Sequence, residues 1–234
     1  METLNYAEHE PDGNIESHAG VADWMIRGEA VVRWRHVFCG FKGSVPVSRV
    51  EDTEQWFRSG ALVQTNTLEY GWTRIDGYVG FSWTPFFNPY VGIRWSDSDQ
   101  ERNSFILNGS PMAGSATETV TAWYFFFGAT GHISLNPKWR LIYSGAYFQP
   151  FSSEVTNTYL PGWEARDEDG YAFEFEGQVE YAITSTISIA AILYGGQVHW
   201  VGSGWQRTSS GSLAKWAEND TDYFGGLLNV RWSF

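Results

Sequence analysis

The stretch that decides the fold is LLNVRWSF, Leu227–Phe234. Leu228, Val230, Trp232 and Phe234 fall on one parity, and Leu227, Asn229, Arg231 and Ser233 on the other. A β-strand turns successive side chains to opposite faces, so this segment reads as a strand with one apolar face ending on an aromatic. A hydrophobic end frays into water when nothing covers it. The question is which solvent that face meets, and the rest of the chain answers it.

Working back along the chain, the alternation recurs. Trp24, Ile26, Ala30, Val32, Trp34 and Phe38 oppose Arg27, Glu29, Arg33 and Arg35. Ile75, Val79, Phe81 and Trp83 oppose Arg74, Asp76 and Tyr78, and Val91, Ile93 and Trp95 oppose Tyr90 and Arg94. Trp139, Leu141, Tyr143 and Tyr147 oppose Arg140 and Ser144. Phe173, Phe175, Val179 and Tyr181 oppose Glu174, Glu176, Gln178 and Glu180. Thr121–Phe127 is largely apolar on both parities, which leaves its phase open. Short turn signals stand at TPFFNP (Thr84–Pro89), SLNPKW (Ser134–Trp139) and ITSTI (Ile183–Ile187), and longer polar stretches lie between them. Short turns at a spacing of about 50 residues predict long hairpins, each strand exceeding the roughly 9–11 residues that cross a bilayer.

Composition agrees. Of 234 residues, 18% are aromatic and only 18% charged, with 25 glycines. That mix favours strands and turns, and no apolar run reaches the roughly 20 residues of a spanning helix. A net charge of −12 argues against nucleic acid, which is bound through basic patches. The lone Cys39 forms no intrachain disulfide. The start, METLNYAEHEPDG, has neither a basic n-region nor an apolar core, so no signal peptide is expected in this numbering. Residues 1–22 are polar and unpatterned and read as an N-terminal tail, with the β domain over 23–234.

Alternation alone does not say which face is wet. Four features select a membrane barrel with apolar residues toward lipid and a polar interior. Loop lengths alternate short and long. Aromatics gather near the short turns at Trp83, Phe86, Phe87, Tyr90, Trp139 and Trp232. The apolar parities carry side chains too bulky for a small interior. Finally, LLNVRWSF resembles the terminal strand of bacterial outer-membrane barrels. That resemblance implies that Leu228, Val230, Trp232 and Phe234 form a signal read by the barrel-assembly machinery. The expected fold is an all-β, transmembrane, antiparallel up-and-down barrel of eight strands, the first within residues 23–50. Ten is the alternative, if CGFKGS (Cys39–Ser44) is a turn.

The polar parity then predicts a lumen ion-pair network of Arg27, Glu29, Arg33, Arg35, Arg74, Asp76, Arg94, Arg140, Glu174, Glu176, Glu180 and Arg231. Confined glutamates stay ionised only beside partners, and arginine supplies bidentate ones.

The layout of LEYGWTRIDGYVGFSWTPFFNPYVGIRW (Leu68–Trp95), YSGAYF (Tyr143–Phe148) and DYFGGLLNVRWSF (Asp222–Phe234) is similar to that of the omptins, ten-stranded outer-membrane aspartyl-type proteases. The likeness is architectural and covers about two-thirds of the chain. Omptins activate water with an Asp-x-Asp pair and an Asp-His pair at the outer rim. Asp97-Ser-Asp99 echoes the first. The second is missing, because Gln149–Gly170 holds no histidine and His199 has no aspartate two residues before it. The resemblance therefore implies an omptin-like scaffold without the catalytic set. His132 and His199 stand isolated, so no metal or other cofactor is expected. Asn108-Gly-Ser110 matches a glycosylation acceptor of little weight. Tyr159, Trp163, Trp205 and Trp216 are loop aromatics suited to contacts.

The functional expectation is a non-enzymatic outer-membrane anchor or interaction component with a plugged lumen. Its partners would be the bilayer, the assembly machinery and proteins met through the outer loops or the N-terminal tail. The alternatives are a small porin, and a diverged protease or lipid-modifying barrel.

Overall fold

The structure, a computed structural model, describes residues 1–9, 14–48, 50–160, 162–166, 169–208 and 210–233. Its strands run β1 (Glu2–His9), β2 (Ile15–Asp23), β3 (Met25–Trp34), β4 (Val37–Pro46), β5 (Val50–Arg58), β6 (Ala61–Phe81), β7 (Asn88–Leu107), β8 (Ser110–Pro111) and β9 (Ala116–Ser134). They continue with β10 (Trp139–Asn157), β11 (Glu164–Ala165), β12 (Gly170–Ala182), β13 (Ile187–Trp200), β14 (Gln206–Arg207), β15 (Leu213–Ala214) and β16 (Glu218–Trp232).

Every pairing in the wall is antiparallel, and the hydrogen-bonded order β6-β5-β2-β1-β16-β13-β12-β10-β9-β7 returns to β6. The ring thus has ten members among the described residues. β3 continues β2 and β4 continues β5, so the lower wall beside β6 is made by β4 and β3. β1 spans only the upper half, where it joins β2 to β16. Below it β3 pairs with β4 and Gly226–Trp232 with β13.

The expected eight strands are therefore corrected to ten, and the polar tail to two strands. Cys39–Ser44 is not a turn but the middle of β4. The chain reverses instead at Arg35–His36, with Arg35 at φ 55°. At the upper end Ser59 and Gly60 make a two-residue hairpin with φ of 50° and 77°, the positive-φ turn whose twist matches paired strands. Asn108-Gly109 makes another, so NGS is hairpin chemistry. The lower turns follow their sequence signals. Asn136 Oδ1 accepts from the Lys138 and Trp139 amides at 2.9 and 3.0 Å. Thr184 Oγ1 accepts from the Ile187 amide at 2.9 Å.

The apolar parity faces outward. Ile26, Val32, Phe125, Phe175, Leu228 and Val230 are all exposed, Leu228 to 88%. An apolar surface of this extent does not persist in water on a monomer. Exposed tryptophans border it on both sides, with Trp24 and Trp123 above and Trp34, Trp83, Trp139 and Trp232 below. Trp24 and Trp34 are ten residues apart on one crossing. At about 3.3 Å per residue and a tilt of about 40°, this spans about 25 Å, the height of an outer-membrane apolar band. One parity assignment changes. Phe38 is 2% exposed and points inward, because the Arg35–His36 turn resets the phase.

Candidate functional site

The polar parity forms the interior. At the level of the band, β3, β4, β6, β7 and β12, with the lower end of β1, bring charged side chains to the barrel axis. Arg94 Nε and Nη2 lie 2.6 and 2.8 Å from the two Asp76 carboxylate oxygens, and Nη2 lies 3.3 Å from Glu174. Arg27 lies 3.2 Å from Glu176. Lys42 Nζ stands 3.1 Å from both Glu174 and Glu176. Arg74 Nη2 is 2.6 Å from Glu2. Tyr223 donates to Glu174 at 3.0 Å. Aromatic faces cover three of the guanidiniums. Arg94 sits 3.9 Å from the Phe148 ring centre, Arg27 3.9 Å from Tyr194, and Arg74 4.3 Å from Trp72.

Four cations (Arg27, Lys42, Arg74, Arg94) thus face four carboxylates (Glu2, Asp76, Glu174, Glu176), and the cluster is neutral. Such pairing offsets the desolvation of buried ions, and within the cluster Arg27 Nη1 and Arg74 Nη1 are buried without a hydrogen-bond partner among the described residues. Toward the short turns, Glu180 takes Arg231 at 2.6 Å and Arg140 at 3.3 Å.

The remaining residues expected in the network lie at the lower end. Tyr78 donates to Glu29. Arg33 lies over Phe38 at 5.2 Å. Arg35 leaves the interior, because it is the exposed turn residue and rests over Trp34. Lys42 and Glu2 were not anticipated.

Sequence reasoning also missed a second interior cluster above the band. Arg102 contacts Glu54 at 2.7 Å and Glu8 at 2.8 Å. Asn66 donates to Glu54 at 2.8 Å, and Tyr6 to Glu8. Glu118 accepts from Trp216 Nε1 at 3.1 Å and Asn157 at 3.3 Å. Here one cation faces Glu8, Glu54 and Glu118. Burial, together with repulsion from Glu8, raises the Glu118 carboxyl to about 7 despite the nearby Arg102. The parity signal was present: Arg94, Ser96, Ser98, Gln100 and Arg102 alternate without a break.

Trp163 and Trp216 are buried, whereas Tyr159 and Trp205 are exposed to 72% and 64%. Between Trp200, Trp216, Tyr124 and Tyr70 lies a cavity of about 30 Å³, room for one or two waters. A second, of about 10 Å³, lies against Arg94 and Glu174.

The residues echoing a protease site do not converge. Asp97 and Asp99 point outward from β7 and accept from Thr121 and Thr119 at 2.6 and 2.7 Å. His199 points outward from β13. It is not isolated, since its Nδ1 is 2.9 Å from Asp220. β7 and β13 are four steps apart along the ring, roughly 19 Å at about 4.8 Å per strand. A base must lie within hydrogen-bond reach of the water it activates, and these two pairs cannot share one. Of the terminal-strand residues, Leu228, Val230 and Trp232 face outward, and Phe234 lies outside the described residues.

No protein-family model and no curated protein matches the chain. Among solved structures it is similar to the outer membrane protease OmpT from Escherichia coli. That likeness has a TM-score of 0.76 at 11% identity and covers 100% of this chain and 93% of that one. The translocator domain of the autotransporter NalP from Neisseria meningitidis aligns over 100% of this chain and 87% of its own. Its TM-score is 0.40 at 9% identity, too distant to weigh. At such identities likeness speaks of fold, not activity. The antiparallel ring, joined through β1 in its upper half, the outward apolar band and the first of these likenesses together support an omptin-like outer-membrane β-barrel fold.

Proposed function

We propose that this protein is a non-enzymatic barrel of the bacterial outer membrane, an anchor or interaction component whose interior is plugged. The observation that carries the reading is the neutral cluster around Arg94 and Glu174. It occupies the interior at the level of the apolar band, with a cavity of about 10 Å³ against Arg94 and Glu174 and another of about 30 Å³ higher in the barrel. A conducting pore needs a continuous wet path. The outward placement of Asp97, Asp99 and His199 supports a non-enzymatic role over a diverged protease. Exposed Tyr159 and Trp205 at the upper loops offer contact anchors of the kind enriched at interfaces. In this reading outward-facing Leu228, Val230 and Trp232 are the terminal-strand residues that an assembly machinery would read, as the resemblance of LLNVRWSF to such strands implies.

Planar-bilayer recording with the refolded protein tests this. The expected result is no steady conductance, and no cleavage of peptide substrates. Steady conductance that changes on Glu176→Gln would replace the reading with a channel. Peptide hydrolysis lost on Asp97→Ala would replace it with an enzyme.

A further inference from the structure

Three of the five histidines, His9, His18 and His199, share one patch of the outer wall with Glu16, Glu218 and Asp220. Register puts them there. His199 on β13 is directly opposite Asp220 on β16. Asp220 is opposite Ala7 on β1, and Ala7 is opposite His18 on β2. In the next row Glu218 is opposite His9, which is opposite Glu16. Directly opposed residues project to the same face, and Glu218 and Asp220, two apart on β16, share that face as well.

At the β13–β16 side of this patch the donors converge. His199 Nδ1 lies 2.9 Å from Asp220 Oδ1. One ligand atom each from His199, Glu218 and Asp220 fall within 4.8 Å of one another. A tetrahedral ion with bonds of about 2.0–2.1 Å holds its ligands about 3.3 Å apart, so small side-chain rotations bring the set to bonding distance. The scaffold is rigid, because β16 is laddered on both sides at this level. The His199 ring is held against Tyr171, its opposite residue on β12, at 5.0 Å. Among the described residues no lysine or arginine pairs with Glu218 or Asp220, so two adjacent carboxylates have only an imidazole between them. Asp220 stands four residues above Phe224, outside the apolar band, and is half-buried.

We propose that His199, Glu218 and Asp220 form an outer-wall site for a borderline divalent cation of the Zn²⁺ class. One imidazole nitrogen with two carboxylates suits such an ion, whereas Ca²⁺ and Mg²⁺ favour all-oxygen shells. The metal takes the position between His199 Nδ1 and Asp220 Oδ1, with the neutral imidazole carrying its one proton on Nε2. Water completes the shell.

The test is calorimetric titration of the chelator-washed, detergent-refolded full chain with ZnCl₂, and in parallel with CaCl₂ and MgCl₂. The expected result is one saturable Zn²⁺ site per chain, weakened roughly 10–100-fold by His199→Ala and by Glu218→Gln, with far weaker Ca²⁺ and Mg²⁺ binding. Heat-modifiable gel migration verifies that each variant is folded, and His199→Gln serves if the alanine variant is not. The absence of saturable Zn²⁺ binding by folded native protein overturns the proposal. So does affinity unchanged in the folded variants, or equal affinity for Ca²⁺.

Discussion

Arg94 and Asp76 are locked in a fork-to-fork pair across β6 and β7, at 2.6 and 2.8 Å, with the guanidinium face covered by Phe148. The two residues also occupy opposed positions in the ladder, so backbone register and side-chain geometry specify the same contact. Arg94→Ala leaves Asp76 without its bidentate partner and removes one of four cations from Glu174. Breaking a buried pair by deleting one partner costs about 3–5 kcal/mol. Equilibrium unfolding by urea in lipid vesicles should show a loss of that size, with Arg94→Lys between the variant and the native protein.

The level of the band predicts a depth dependence on the outer wall. Leu228→Arg places a charge in the band and should cost about 2–4 kcal/mol, the range for arginine at the midplane. Asp222→Arg, six residues higher on the same face of β16, should cost about 0–1 kcal/mol. Unfolding of the two variants in one lipid checks the difference. Equal costs would place the band elsewhere.

Glu118 predicts a pH dependence. Its carboxyl is raised to about 7 in the folded protein, from an ordinary value of 4.5, and it lies five residues above Trp123, outside the band. The folded state therefore holds the proton more tightly than the unfolded one. That stabilisation is fully present below pH 4.5 and is lost as pH rises through about 7. A shift of this size corresponds to on the order of 3 kcal/mol. Glu118→Gln should flatten the unfolding midpoint between pH 5 and pH 8 and stabilise the protein most at the upper end of that range. A pH profile unchanged in the variant would assign the dependence to other groups.

What was legible in the sequence follows the lipid. Within the band the two faces of a strand meet opposite solvents, so Arg74 against Ile75 or Glu176 against Phe175 reads clearly. Above the band both faces are polar and the contrast disappears. Glu2, Leu4, Tyr6 and Glu8 point inward while Thr3, Asn5 and Ala7 point outward, and nothing in METLNYAEH marks that as a strand. Asp97 and Asp99 alternate with Ser96 and Ser98 in the same region, so their outward direction was hidden as well. Turns rich in Pro, Asn and Thr were visible because their chemistry is local. The Arg35–His36 reversal carries none of those residues, and missing it shifted the strand count. Pairing of His199 with Asp220 needs the β13–β16 register, which the order of residues does not contain.

The apolar parity faces lipid. The most direct measurement compares boiled and unboiled samples on a denaturing gel after refolding with and without detergent micelles. A faster-migrating, heat-sensitive form that arises only with detergent is the expected result. A folded, monodisperse protein in plain buffer would contradict it, since Leu228, Val230 and Phe125 would then have to face inward.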